Sequence, residues 1–176
     1  MSRAPTLIAL LGLAALRCDT ELHYVDPPIL VQQSELAVSG PPGVQLAYYD
    51  ATGAGLAPVV DGVEVAIVDG LQGGTWTMPA VRTTGISSPA TVECSVVTDA
   101  GEQVGVVKTR TKFYATKDGS RMLEYRSFPI PIRHAAPNAN APIADLTGQR
   151  ATMGCTVTDK ELRSASHSAH VMLVKR

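Results

Sequence analysis

From residue 59 onward, apolar and polar side chains alternate in short runs, and turn-forming residues break those runs at intervals of roughly ten residues. A period of two is that of a β-strand with one buried face, so the pattern predicts strands rather than helices. VEVAIVD places Val63, Val65 and Ile67 on one face. In ATVECSVVTDAGEQVGVV, Ala90, Val92, Cys94 and Val96 point one way, and Thr91, Glu93 and Ser95 the other. Asp99, Ala100 and Gly101 form the turn, and the return strand runs from Gln103 towards Thr109. A second hairpin is expected around KDGS, residues 117–120, whose Asp-Gly step suits a tight turn.

Further along, SFPIPIRH sets Phe128, Ile130 and Ile132 on one face with Pro129 and Pro131 between them. Alternate backbone N–H groups point to the same neighbour, so both prolines strip donors from one side and predict a sheet edge. PNANAP reads as a loop, and ADLTGQ, residues 144–149, as one helical turn. In the last hairpin Ala151, Met153, Cys155 and Val157 alternate inward, TDKEL turns the chain, and Ala169, Val171 and Leu173 return across the core.

That closing stretch, a T-V-T-D turn followed by alternating small and apolar residues, resembles the final two strands of immunoglobulin-like and PKD-like modules of bacterial exported proteins. The resemblance implies an all-β, immunoglobulin-like β-sandwich over residues 59–176. It also implies that Cys94 and Cys155, both in the apolar phase of their strands, form a disulfide crossing from one sheet to the other. No Tyr stands two residues before Cys155 and the lone Trp is not in the expected place, which implies a variant of that fold. Two buried free thiols are the alternative, suited to a reducing compartment.

Ahead of the strands, composition shifts. Residues 18–58 carry two Pro pairs and several Gly, as a spacer arm would, with VQLAYY at 44–49 available as one added strand. Residues 1–17 are built like an export signal: Arg3 and the amino terminus supply positive charge, and an apolar run from Leu7 to Leu16 follows. The run is shorter than the ~20 residues that span a bilayer. Cys18 then stands where a bacterial lipoprotein receives its diacylglyceryl group. Ala15 and Arg17 depart from the usual residues before such a cysteine, so an ordinary leader cut after Ala14 or Ala15 stays open, as does a different start. With three cysteines in the chain, a Cys94–Cys155 pair leaves Cys18 as the odd one, and lipidation occupies it.

Charge adds an exclusion. Fifteen Lys plus Arg against 16 Asp plus Glu give a net charge of −1, which offers no footprint for nucleic acid or for polybasic membrane attraction. Only 18% of residues are charged, while 15 Gly and 12 Pro match a turn-rich all-β chain. The expected partners are therefore the membrane, through the amino-terminal lipid, and an envelope protein or glycan.

The most individual stretch is VDGLQGGTWTMPAVRTTGI. Through Asp69, Gly70, Gln72, Gly73 and Gly74 it resembles a D-G-x-Q-G-G signature of uncharacterised outer-membrane lipoproteins of myxobacteria and their relatives, which implies an outer-membrane address facing periplasm or surface. Physically, Gly73 and Gly74 permit positive φ and a sharp bend before the strand at Thr75. The functional alternative is a ligand loop of Gln72, Gly73 and Gly74 with Trp76 as an aromatic platform; as the only tryptophan, Trp76 is expected in the core.

Other candidates read as structure. His167 and His170, three apart on a strand, point to opposite faces and do not form a metal pair. His23 and His134 lie in loop-like sequence without nearby partners. Asp61, Asp69, Asp99, Asp118 and Asp159 sit mostly in D-G or T-D turns, with no D-x-D or EF-hand spacing. Lys108, Arg110 and Lys112 form a basic stripe on one strand face. No nucleophile elbow, zinc-protease helix, P-loop or dinucleotide fingerprint occurs, so no catalytic residue, metal or cofactor is expected. The sequence thus points to a non-enzymatic binding or scaffolding protein of the cell envelope. A carbohydrate- or calcium-dependent adhesion module is the second reading, and a secreted or soluble periplasmic location the alternative address.

Overall fold

The computed structural model describes residues 39–50, 52–70, 73–117, 120–135 and 140–176; Cys18, the leader and the first part of the arm lie outside them. The described residues are all-β. The strands are β1 (Gly43–Tyr49), β2 (Leu56–Pro58), β3 (Glu64–Asp69), β4 (Thr75–Thr77), β5 (Ala80–Thr84), β6 (Ala90–Thr98), β7 (Gln103–Thr111), β8 (Tyr114–Ala115), β9 (Leu123–Tyr125), β10 (Ile130–Pro131), β11 (Arg150–Thr158) and β12 (Ser164–Lys175). One turn of 3-10 helix spans Ile143–Leu146, beside the helical turn expected at 144–149.

Two sheets share the core. The larger runs β10-β4-β3-β12-β11-β6-β7 and the smaller β2-β1-β5-β9-β8. Three long neighbours, β6, β11 and β12, alternate as the sequence predicts. Val92, Cys94 and Val96, then Met153, Cys155 and Val157, then Ala169, Val171 and Leu173, all point inward and are at most 4% exposed. β12 pairs antiparallel with β11 and parallel with β3, so the final strand lies in the middle of its sheet.

The larger sheet comes close to closing on itself, for which the sequence expectation of an edge at SFPIPIRH supplies half the reason. Phe128 N–H donates to Pro79 O (2.7 Å) and Ile132 N–H to Thr75 O (2.8 Å), so this side of β10 faces β4. The other side carries Pro129 and Pro131 and offers no donor until Arg133, whose N–H reaches Val104 O at 2.8 Å. A single antiparallel bridge, Gly105 to Ile132, joins β10 to β7. Glycine is required there, since a Cβ on residue 105 would lie 2.9 Å from Ile132 Cδ1 and 3.1 Å from Val96 Cβ. The outcome is a sandwich-like, nearly barrel-shaped body.

β1 is the added strand that VQLAYY offered ahead of residue 59. It is an interior strand of the smaller sheet, between β2 and β5, with Leu46 and Ala47 fully buried. Among the described residues the folded body thus includes Gly43–Tyr49, within the stretch that composition assigned to the arm. Tyr48 fixes β1 to the larger sheet through a hydrogen bond between its hydroxyl and that of Thr77, itself fully buried on β4. Burial pushes the Tyr48 phenol far above its ordinary pKa, so it stays a neutral hydrogen-bonding group.

Cys94 and Cys155 are bonded, but not from sheet to sheet. β6 and β11 are adjacent, and the two cysteines stand directly opposite in their register, Cα to Cα 4.0 Å. Inward alternation is common to both arrangements; what distinguishes them is which strands are neighbours. The bridge closes a loop of 61 residues. Loop-closure entropy then assigns it about 4 kcal/mol of stability. A Cys94→Ala, Cys155→Ala protein should unfold at markedly lower denaturant concentration, its stability reduced by an amount of that order. An unchanged midpoint would show that strand pairing alone holds the sheet.

Candidate functional site

The outer face of the smaller sheet carries a row of polar side chains straight across four strands. Register places Gln45 of β1 opposite Arg82 of β5, Arg82 opposite Glu124 of β9, and Glu124 opposite Tyr114 of β8. Each is in the outward phase, because Leu46, Val81 and Leu123 beside them fill the core.

Arg82 is the unusual member. Its side chain is only 5% exposed although it lies on an outer sheet face. The guanidinium donates to Ser120 Oγ at 2.8 Å and lies 3.5 Å from Gln45 Oε1, and its Nε stands 3.6 Å from Glu124 Oε2. Burying an ion pair this deeply offers little net stability over an apolar pair, but removing one partner strands the other.

Tyr49 lies across this row. From β1 its hydroxyl donates to the Glu124 carboxylate (2.7 Å to Oε2, 2.9 Å to Oε1). β5 intervenes between those strands, so the ring must bridge two strand spacings, roughly 10 Å. Ala47 and Ala80, the small outward pair on β1 and β5, leave room for it. Desolvation, then the bond to Glu124, hold the Tyr49 phenol above its ordinary pKa, and the hydroxyl remains a donor. Arg126 covers the other face of the ring, with Cζ 4.2 Å from its centroid, and donates to Gly53 O at 2.6 Å. Between Tyr49, Tyr114, Lys117, Glu124 and Arg126 opens a groove of about 520 Å³.

The residues singled out from sequence fall elsewhere. Cys18 and His23 lie outside the described residues, as do Gln72 and Asp118. Gly73 and Gly74 take positive φ (86° and 85°), and Gly70 and Gly73 close a turn through Gly73 N to Gly70 O (3.0 Å) and Gly70 N to Gly74 O (2.9 Å). Trp76 is not in the core. Thr77 takes the inward position on β4, and the half-buried indole packs back on the loop: a Cβ on Gly70 or Gly74 would meet the ring at 2.9 or 3.3 Å.

His134, expected to lack partners, is buried between the Glu102 carboxylate (Nδ1 to Oε1, 3.1 Å) and Pro142 O (Nε2, 3.3 Å). His167, half-buried in the inward phase, reaches Val59 O at 2.9 Å, whereas His170 is exposed on the opposite face. Lys108 pairs across the strands with Glu93 at 2.8 Å, both exposed. No group of three His, Cys, Asp or Glu able to hold a metal occurs among the described residues.

Asp159 shows what the turn aspartates do. Its buried carboxylate accepts from Ser87 N (3.0 Å), Glu161 N (3.0 Å), Arg163 N (3.0 Å) and Arg163 Nε (2.8 Å). Burial alone would raise its pKa; the bonds from Ser87 and Arg163 together outweigh that and hold it below the carboxylate range. Glu102 is also lowered, first by the backbone N–H of Ala135.

No protein-family model matches the chain, and no curated protein matches it.

Two outcomes follow from the geometry. Because the folded-state pKa of Asp159 lies below its unfolded value, its contribution to stability is complete above that value, about 4, and disappears as pH falls through the folded one. Urea midpoints measured from pH 7 down to pH 2 should fall over that acid range, and Asp159→Asn should flatten the fall while lowering the midpoint at pH 7. Arg82→Ala should cost roughly 3 kcal/mol, the loss typical of a stranded buried charge. Arg110→Ala, on an exposed strand face, should stay within about 0.5 kcal/mol of the parent in the same denaturation assay.

Proposed function

We propose that this protein is exported, is anchored by a lipid on Cys18 and works as a non-enzymatic binding or scaffolding domain, immunoglobulin-like in kind, at the outer membrane of a Gram-negative envelope. The observation that carries the proposal is the buried Cys94–Cys155 bridge between fully paired strands. Such bridges form and persist in oxidising compartments, and the apolar leader gives the route to one. With two of three cysteines consumed, Cys18 is the one left to occupy, at the position of a lipoprotein acceptor. Among the described residues no helix is long and apolar enough to cross a membrane.

Support for the immunoglobulin-like kind comes from the closing hairpin, β11 and β12, and from two sheets packed over one core. The bridge within a single sheet makes this a variant. The D-G-x-Q-G-G signature supports the outer-membrane address.

Mass spectrometry of the mature protein from its native membrane tests the proposal. The expected result is a diacylglyceryl-modified amino-terminal Cys18 together with one intact Cys94–Cys155 disulfide. An amino terminus at Ala15 or Leu16 with an unmodified Cys18 would replace the anchored protein by a soluble periplasmic or secreted one.

A further inference from the structure

We infer that the groove on the outer face of the smaller sheet is a binding site for an acidic saccharide, a sugar ring carrying a carboxylate or phosphate. The inference rests on reading the chain as a binding module and is independent of the anchor.

Charge is the first ground. Arg82 and Glu124 carry opposite charges 3.6 Å apart, so together they contribute no net charge to the groove. Two cations remain in the wall. Arg126 is held by a backbone carbonyl and a ring face, and it has no carboxylate partner among the described residues. Lys117 is exposed and has no ion-pair partner among the described residues. Two cations without a carboxylate partner among the described residues, beside a carboxylate already committed to Tyr49 and Arg82, favour an anionic ligand.

Shape and stiffness are the second ground. Tyr114 contributes aromatic surface to the groove wall, and sugars present apolar C–H faces to such a ring while their hydroxyls bond polar groups at the rim. Tyr49 is fixed three ways: its hydroxyl on Glu124, Arg126 across its face, and the strand beneath. Arg82, desolvated by the fold itself, holds Glu124 in place. An exposed sheet face needs no buried guanidinium for stability, whereas a preorganised site gains from having its ordering already complete before the ligand arrives. At about 520 Å³ the groove accommodates one to two sugar rings.

The test is an array of immobilised oligosaccharides in which each uronate or sugar phosphate sits beside its neutral counterpart, probed with the full chain, disulfide intact. Binding should be confined to acidic members, uronate and phosphate spots showing which anion is preferred. Lys117→Ala, at an exposed position that leaves the fold alone, should weaken binding about tenfold, the loss of one charge-assisted contact. Arg126→Gln should do the same, with thermal melting to confirm that it folds. The inference is overturned if no spot is retained, if neutral counterparts bind equally well, or if Lys117→Ala binds like the parent. The site would then fall while the anchored, exported reading stands or falls separately on the mass of the amino terminus.

Discussion

Register between β6 and β11 is the constraint on which the rest of the molecule depends. Each strand has nine residues, inward-facing side chains at every second position, and a partner on both sides. A slip of one residue by either strand would turn its own apolar set, Val92 and Val96 or Met153 and Val157, out to solvent and bring Glu93 or Thr156 into the core. The opposed cysteines forbid that slip covalently, since they can bond only when position 94 faces position 155. With this pair fixed, β12 has one edge to join and β7 another, and the larger sheet grows outward from its bridged centre.

The smaller sheet depends on that frame without resembling it. It has short strands, two of three residues and one of two, and draws its order from side chains rather than from long ladders. Inside, Leu46, Val81, Leu123 and Phe128 pack on the larger sheet, and Tyr125 meets Phe128 edge to face at 5.4 Å. Outside, Arg82, Glu124, Tyr49 and Arg126 lace β1, β5 and the segment after β9 together. The groove is thus built by the same contacts that keep the short strands in line, which gives it a rigid floor.

How far the sequence discloses these features varies by element, for physical reasons. β3, β6, β11 and β12 are legible because six to twelve residues of alternation overwhelm other signals, and β7 follows from the turn that returns it along β6. β9 has too few residues to display a period at all, β10 shows through the alternation of Phe128, Ile130 and Ile132, and β1, offered as VQLAYY, is obscured by the prolines and glycines around it. Trp76 runs against the rule that large apolar residues go inside: Thr77 claims the inward position because Tyr48 supplies its hydroxyl with a partner, and two glycines leave a bed for the indole outside. The polar groove is the least legible feature. Tyr49, Arg82, Glu124 and Arg126 are spread over 78 positions, and only strand order, which no local pattern encodes, brings them together. The one hint is AVRTT, an arginine within an otherwise uncharged strand.

The placement of β12 has a bearing on how the molecule comes into being. This strand, supplied by residues 164–175, lies between β3 and β11, so the two halves of the larger sheet have no common ladder until it arrives. A chain emerging amino end first can form the β6–β7 hairpin early, and apart from the lone Gly105–Ile132 bridge it is joined to β3 only when residues 164–175 have been delivered. Until then the two halves remain separate ladders, and the seven strands become one sheet only as the last of them docks.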